Sequence, residues 1–128
     1  MGTGEIRTIL IADDNADAAE SLASILAALG IQTVVTRNGA EALMAAKERM
    51  PDAAILDIGM PELNGWEVCR RIRGLPGGDR PMLVALTGWG SQEDMRKSHE
   101  AGFNAHWTKP AEPTAVFALV GKFPHDPS

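Results

Sequence analysis

Asp13, Asp14, Asp57, Thr87 and Lys109 are the side chains of this sequence whose types suit one common chemistry. Each follows a short apolar run. Arg7 to Ala12 precedes the Asp pair, Ala53 to Leu56 precedes Asp57, Pro81 to Leu86 precedes Thr87, and Ala105 to Thr108 precedes Lys109. Runs of this length between chain breakers read as strands of a parallel sheet, and Ala53 to Leu56 reads as one buried on both faces. In open α/β sheets the carboxyl ends of the strands form the ligand edge, so the five side chains are expected along it. Three carboxylates within reach of one another repel. Two like charges about 4 Å apart cost roughly 4 kcal/mol at an effective dielectric near 20. Either one carboxyl takes up a proton or a cation joins them. Oxygen ligands without a neighbouring His or Cys favour a hard ion, and Mg²⁺ needs only one or two carboxylates together with water and phosphate oxygens. The Thr87 hydroxyl and the Lys109 ammonium suit an anion gathered beside that ion. The set fits phosphoryl transfer, in which catalysis is positioning and charge neutralisation. Asp57 is then the nucleophile.

The elements that must position these groups follow from the apolar spacing. Ala18, Leu22, Ile25, Leu26 and Leu29 recur at helical intervals, with Asn15 or Asp17 available as the cap and Gly30 as the stop. Residues 31–36 read as a second strand. Asn38 with Glu41 three residues on resembles a capping box ahead of a helix that ends before Pro51. Trp66, Val68, Cys69 and Ile72 mark a third helix, closed by the Gly-rich segment 74–78. Ser91 to Ala101 is a weakly amphipathic fourth helix ended by Gly102, and residues 113–122 form the last. Strand and helix alternate five times, which implies one α/β domain with a parallel sheet and right-handed crossovers. The expected division is a leader at 1–5, a folded domain at 6–122 and a tail at 123–128.

Composition narrows the function. The chain has 128 residues, 45% hydrophobic and 23% charged, in the range of soluble globular domains. Its net charge of −5 argues against a nucleic-acid footprint, which needs a basic stripe. No apolar run approaches the roughly 18 residues that span a membrane, and no signal peptide is visible. The single cysteine, Cys69, excludes an internal disulfide and a multi-cysteine metal site, and reads as a buried free thiol. These features together point to the cytoplasm.

At this point the residues carry a family likeness. Asp13-Asp14, Leu56-Asp57-Ile58-Gly59-Met60-Pro61 with Asn64-Gly65, Leu86-Thr87-Gly88 and Lys109-Pro110, in this order and each at a strand end, resemble the CheY-like receiver domain of two-component response regulators. The resemblance spans roughly residues 6 to 121. It implies a three-layer (βα)5 doubly wound parallel sheet in strand order 2-1-3-4-5. It implies that Asp57 accepts a phosphoryl group from a phosphohistidine of a sensor histidine kinase or a histidine phosphotransfer protein. Mg²⁺ would be held directly by Asp14, mainly through water by Asp13, and by Asp57 and the Gly59 carbonyl. Thr87 and Lys109 would contact the phosphoryl oxygens, and Lys109-Pro110 would be cis. Such a domain is a switch that assists its own phosphorylation and dephosphorylation rather than a turnover enzyme. Its downstream protein partner would dock on the fourth helix, fifth strand and fifth helix. Ala85 to Gly90 and Ala101 to Pro110 are most similar to receiver modules of hybrid sensor kinases. No DNA-binding output domain is expected after the last helix.

One position departs from the family pattern. The aromatic switch residue, usually Tyr or Phe, is His106 here, and the chain has no Tyr. His106 either performs a version of the inward swing behind Thr87 or sits at the surface. Trp89, close after Thr87, is a further switch candidate. Trp107 and Trp66 read as packing, His99 and His125 as solvated, Arg70-Arg71-Ile72-Arg73 as a solvated basic face, and Met44, Met60, Met82 and Met95 as core or loop filler. Two other functions use related parts. A haloacid-dehalogenase-type phosphatase also has a strand-end Asp nucleophile and Mg²⁺, but carries a second Asp where this chain has Gly59. A degenerate receiver would serve only as an interaction module, against which the intact residue set argues.

Overall fold

Every apolar run that precedes a polar strand end becomes a strand. The computed structural model describes residues 6–88 and 90–121; the expected leader and tail, with Trp89 and Lys122, lie outside them. The strands are β1 (Thr8–Ala12), β2 (Gln32–Thr36), β3 (Ala53–Asp57), β4 (Met82–Thr87) and β5 (Ala105–Thr108). Between and after them run α1 (Ala16–Ala28), α2 (Gly39–Glu48), α3 (Gly65–Arg73), α4 (Gln92–Ala101) and α5 (Pro113–Val120). All pairings are parallel, in the order β2-β1-β3-β4-β5. This is the doubly wound order that the resemblance implied. Several elements begin or end a residue or two inside their apolar runs, as strand and helix ends do where the last backbone groups lack ladder partners.

Side chains alternate across the sheet and build a core on each face. Leu10, Leu56, Leu83 and Ala85 meet Val68 and Ile72 of α3 and Ala101 of α4 on one side. Ile9, Ile11, Ile55 and Val84 meet Leu22 and Leu26 of α1 and Val116 of α5 on the other. β3 lies at the centre and is buried at every position. Burying each such Leu, Ile or Val removes apolar area worth about 1.5–3 kcal/mol from water. Of Met44, Met60, Met82 and Met95, Met60 joins the core. Met44, Met82 and Met95 are exposed, which corrects their reading as filler.

The loops above the carboxyl edge are closed by caps. Asn15 Oδ1 accepts the Ala18 N–H at 3.1 Å, Asn38 Oδ1 that of Glu41 at 2.8 Å, Asn64 Oδ1 that of Glu67 at 3.0 Å and Ser91 Oγ that of Asp94 at 3.0 Å. Each satisfies one orphan donor of a helix start. Glu41 reaches back to the Arg37 N–H at 3.0 Å, one residue before the expected partner. Among the described residues no helix is long and apolar enough to cross a membrane.

Candidate functional site

β1 and β3 are neighbours with Ala12 opposite Leu56, so the next residues, Asp13 and Asp57, finish side by side. Asp57 pairs with Leu86, and Thr87 with Thr108, which brings Lys109 to the same edge. A backbone bond from the Lys109 N–H to the Thr87 carbonyl, 2.7 Å, ties the last two strand ends together. The Lys109–Pro110 peptide is cis. The structure thus brings together all five residues singled out by type.

Their surroundings differ. Asp13 and Asp57 are only 1% and 3% exposed, Thr87 is buried, and Asp14 faces solvent. Asp13 Oδ1 accepts the Asn15 N–H at 2.9 Å, and Asp57 Oδ1 accepts the Gly59 N–H at 3.0 Å. Lys109 Nζ stands 3.1 Å from Asp57 Oδ2 and 3.9 Å from Asp13 Oδ1. Burial pushes the Asp13 carboxyl above its ordinary value of 3.8. The Asn15 N–H opposes this, the charge of Asp57 adds to it, and Lys109 opposes it. A buried carboxyl that resists ionising beside a second one is the arrangement a cation relieves.

The donor set fits a hard divalent ion. Asp13, Asp14 and Asp57 each offer an oxygen within 4.8 Å of the others. The Lys109 ammonium pairs with Asp57 and Asp13 of the three. Oxygen donors with an exposed carboxylate at the mouth suit Mg²⁺, which keeps part of its water. Gly59 is not demanded by space, because a Cβ there would meet Asp57 Oδ1 at an ordinary 3.7 Å. Gly65 is demanded. A Cβ there would lie 2.7 Å from the Asp57 carbonyl and 2.9 Å from Ile58 Cα, so only glycine lets α3 start directly against the end of β3.

The secondary candidates divide. His106 pairs with Ala85 on the sheet face shared with Thr87, half-buried, and its Nε2 is buried without a hydrogen-bond partner. It is neither a plain surface histidine nor a satisfied core one. Trp107 packs on the opposite face, as alternation requires. Trp89 lies outside the described residues. Cys69 is buried, its thiol pushed up to about 11 by burial and donating to the Ala101 carbonyl at 3.3 Å, so it is structural.

The basic run was misread in one residue. Arg70 and Arg71 are exposed and pair with Glu67 on their own helix. Arg73 instead turns inward. Its Nε and one terminal nitrogen donate to the Gly102 carbonyl at 3.0 and 2.7 Å, and that terminal nitrogen also reaches Asn104 Oδ1 at 2.7 Å. Its other nitrogen donates to the Gly78 and Pro81 carbonyls at 3.0 and 2.9 Å. Trp66 also does more than pack. Its indole N–H donates to Ser98 Oγ at 3.0 Å. The spacing held a signal, because 66, 69 and 73 form an i, i+3, i+7 stripe on one face of α3.

Fold and acidic edge define a doubly wound α/β protein that presents a buried carboxylate beside a lysine in a pocket fit for a divalent cation. The chain belongs to the response regulator receiver domain family, whose pattern matches residues 9–120. The DNA-binding response regulator MtrA of Mycobacterium tuberculosis is 37% identical over 112 residues, which cover 88% of this chain and 48% of MtrA. The chain therefore spans about half of that relative's length. The receiver domain of sensor histidine kinase PA1611 from Pseudomonas aeruginosa matches with TM-score 0.80 at 27% identity, covering 90% of this chain and 98% of that one. Its structure has a magnesium ion coordinated in the active site cleft. The receiver domain of Ssk1 from Saccharomyces cerevisiae, crystallised with the histidine phosphotransfer signalling protein Ypd1, matches with TM-score 0.83 at 28% identity over 91% of this chain and 87% of that one. The similarity runs to response regulators and to histidine-kinase receiver domains alike, and the protein is a receiver domain of two-component signalling.

Proposed function

We propose that Asp57 is the phosphoacceptor of this receiver, that residues 6–122 form the working unit, and that the donor is a phosphohistidine of a sensor kinase or phosphotransfer protein. A single observation carries the reading: Asp57 ends a wholly buried strand with Lys109 Nζ at 3.1 Å and two further carboxylates within 4.8 Å. An Asp57 carboxylate oxygen attacks the phosphorus, the bond from phosphorus to the donor imidazole nitrogen breaks, and the imidazole leaves with the electron pair. Asp14, Asp57 and the Gly59 carbonyl, with Asp13 mainly through water, would hold Mg²⁺, which when bound would neutralise the developing charge. Gly59 N–H fixes one Asp57 oxygen. Lys109 neutralises the acceptor side, and Thr87 offers a hydroxyl to the bound group. The likeness to PA1611 supports the ion, and the likeness to Ssk1 with Ypd1 supports the class of donor.

Attraction of Thr87 toward the phosphoryl group shifts the population between two arrangements of α4 and β5, because the group interacts better with one of them. His106, on the same sheet face as Thr87, is the ring available to follow it, and Trp89 is the candidate closest in sequence. The downstream partner is a protein that docks on α4, β5 and α5. The domain acts as a switch rather than as a turnover enzyme, in the cytoplasm, where a free thiol such as Cys69 stays reduced.

Intact mass after incubation with acetyl phosphate tests the assignment. A Mg²⁺-dependent gain of one phosphoryl group that is lost in Asp57→Asn is the expected result. Equal gain in Asp57→Asn would place the chemistry on another residue and end this reading.

A further inference from the structure

The fourth helix is unevenly held. None of Gln92 to Lys97 is buried; only Ser98 and Ala101 are. The end at Gly102 is clamped by the Arg73 guanidinium and by the Cys69 thiol, both from α3. One turn before that end, Trp66 of α3 makes a second attachment. Its indole N–H donates to Ser98 Oγ, which is 1% exposed, and Lys97 Nζ lies 5.1 Å from the centre of its ring. On the sheet face that α4 covers, His106 Nε2 is buried and has no partner, so it adds no bond of its own to that seat. The helix start follows Thr87 by only the segment 88–91, so any pull on Thr87 reaches α4 at its weakly held end.

We propose that Trp66 and Ser98 form a latch that holds α4 in the unphosphorylated arrangement, with the Arg73–Gly102 clamp as its pivot. The proposal rests on the phosphoacceptor reading above and adds to it which contact sets the switch equilibrium. Opening requires the indole N–H to leave Ser98 while the Arg73 bonds stay. Removing the latch then lowers the cost of the active arrangement, and any ligand that prefers that arrangement binds more tightly. A merely structural bond predicts the opposite or nothing, since its loss would not favour the ligand.

The test uses beryllofluoride with Mg²⁺, which stands in for the phosphoryl group on Asp57. Trp66→Phe and Ser98→Ala are expected to bind it roughly two- to tenfold more tightly than wild type, the worth of one neutral hydrogen bond. The double variant is expected to bind no more tightly than either single one, because both remove the same bond. Lys97→Ala, at the exposed rim of the contact and safe for folding, is expected to shift affinity the same way by less. In wild type the Trp66 indole N–H resonance, assigned with Trp66→Phe, is expected to move and to exchange faster with water on saturation, while the Arg73 Nε–H resonance stays. Unchanged or weaker binding by both variants, or an unmoved indole resonance in a wild type that does bind, overturns the latch and leaves Asp57's role standing. If wild type fails to bind while folded, the phosphoacceptor reading itself fails and the latch falls with it.

Discussion

The centre of the sheet and its α4–β5 quarter are built on different terms. β1, β3 and β4 are buried at nearly every position, and Asp13, Asp57 and Thr87 stand at their ends. β5 is half-buried along Ala105 to Trp107, and α4 buries two of its ten residues. The contrast has a physical sense. Under the proposed function, Asp57, the acidic cluster and the Lys109 ammonium must keep their spacing, which needs strands fixed by apolar contact on both faces. Under the same proposal, α4 and β5 respond and must have two arrangements close in free energy, which needs few contacts and local opening.

The largest expected effect lies at the fixed centre. Asp57→Asn abolishes Mg²⁺-dependent phosphoryl uptake in the intact-mass assay while the fold remains. Next comes the core beneath it. Ile55→Ala empties a site with 0% exposure and should cost about 2–5 kcal/mol in urea unfolding, against within about 0.5 kcal/mol for Met95→Ala on exposed α4. Similar costs for the two would break the comparison. Lys109→Ala removes the ammonium that faces both buried carboxylates and should weaken beryllofluoride binding by about ten- to a hundredfold.

Asp13 sharpens the contrast through pH. Its carboxyl holds a proton more tightly in the fold than in the unfolded chain. Folding therefore favours its protonated form, and the stability this contributes is full below 3.8 and is lost as pH rises through the raised value. Asp13→Asn should accordingly raise the urea midpoint at neutral pH without Mg²⁺, by less and less as pH falls toward 3.8, and should remove the stabilisation that Mg²⁺ confers on wild type. A lower midpoint in the variant at neutral pH would contradict it. The smallest effect belongs to the loop beside the site. Glu62 has φ 66°, in the left-handed region, so Glu62→Gly should be neutral or stabilise by up to about 1 kcal/mol despite glycine's entropy. Hydrogen exchange offers a check on the whole comparison: α4 amides should open well below the global free energy, and β3 amides only near it.

The strands, the alternation and the meeting of Asp13, Asp14, Asp57, Thr87 and Lys109 at one sheet edge were legible in the sequence because each depends on local facts. An apolar run that ends in a charged residue marks both a buried strand and its polar edge, and Asn or Ser before a helical pattern marks where the loop above that edge closes. Parallel register then sets Asp13, Asp57, Thr87 and Lys109 on one line, since every strand ends at the same side. Residues whose roles depend on what lies across an interhelical contact were not legible. Arg73 reads as one of three exposed arginines until the Gly102 and Pro81 carbonyls are seen around it. Ser98 sits in a polar helix with no sign that it is buried against Trp66. His106 has the same local sequence whether its nitrogen meets water or is shut away from it. Periodicity reports which face a residue occupies, but a hydrogen bond to another element exists only when two chain segments distant in sequence are packed together. That is why the tertiary structure alone decided how α4 is held.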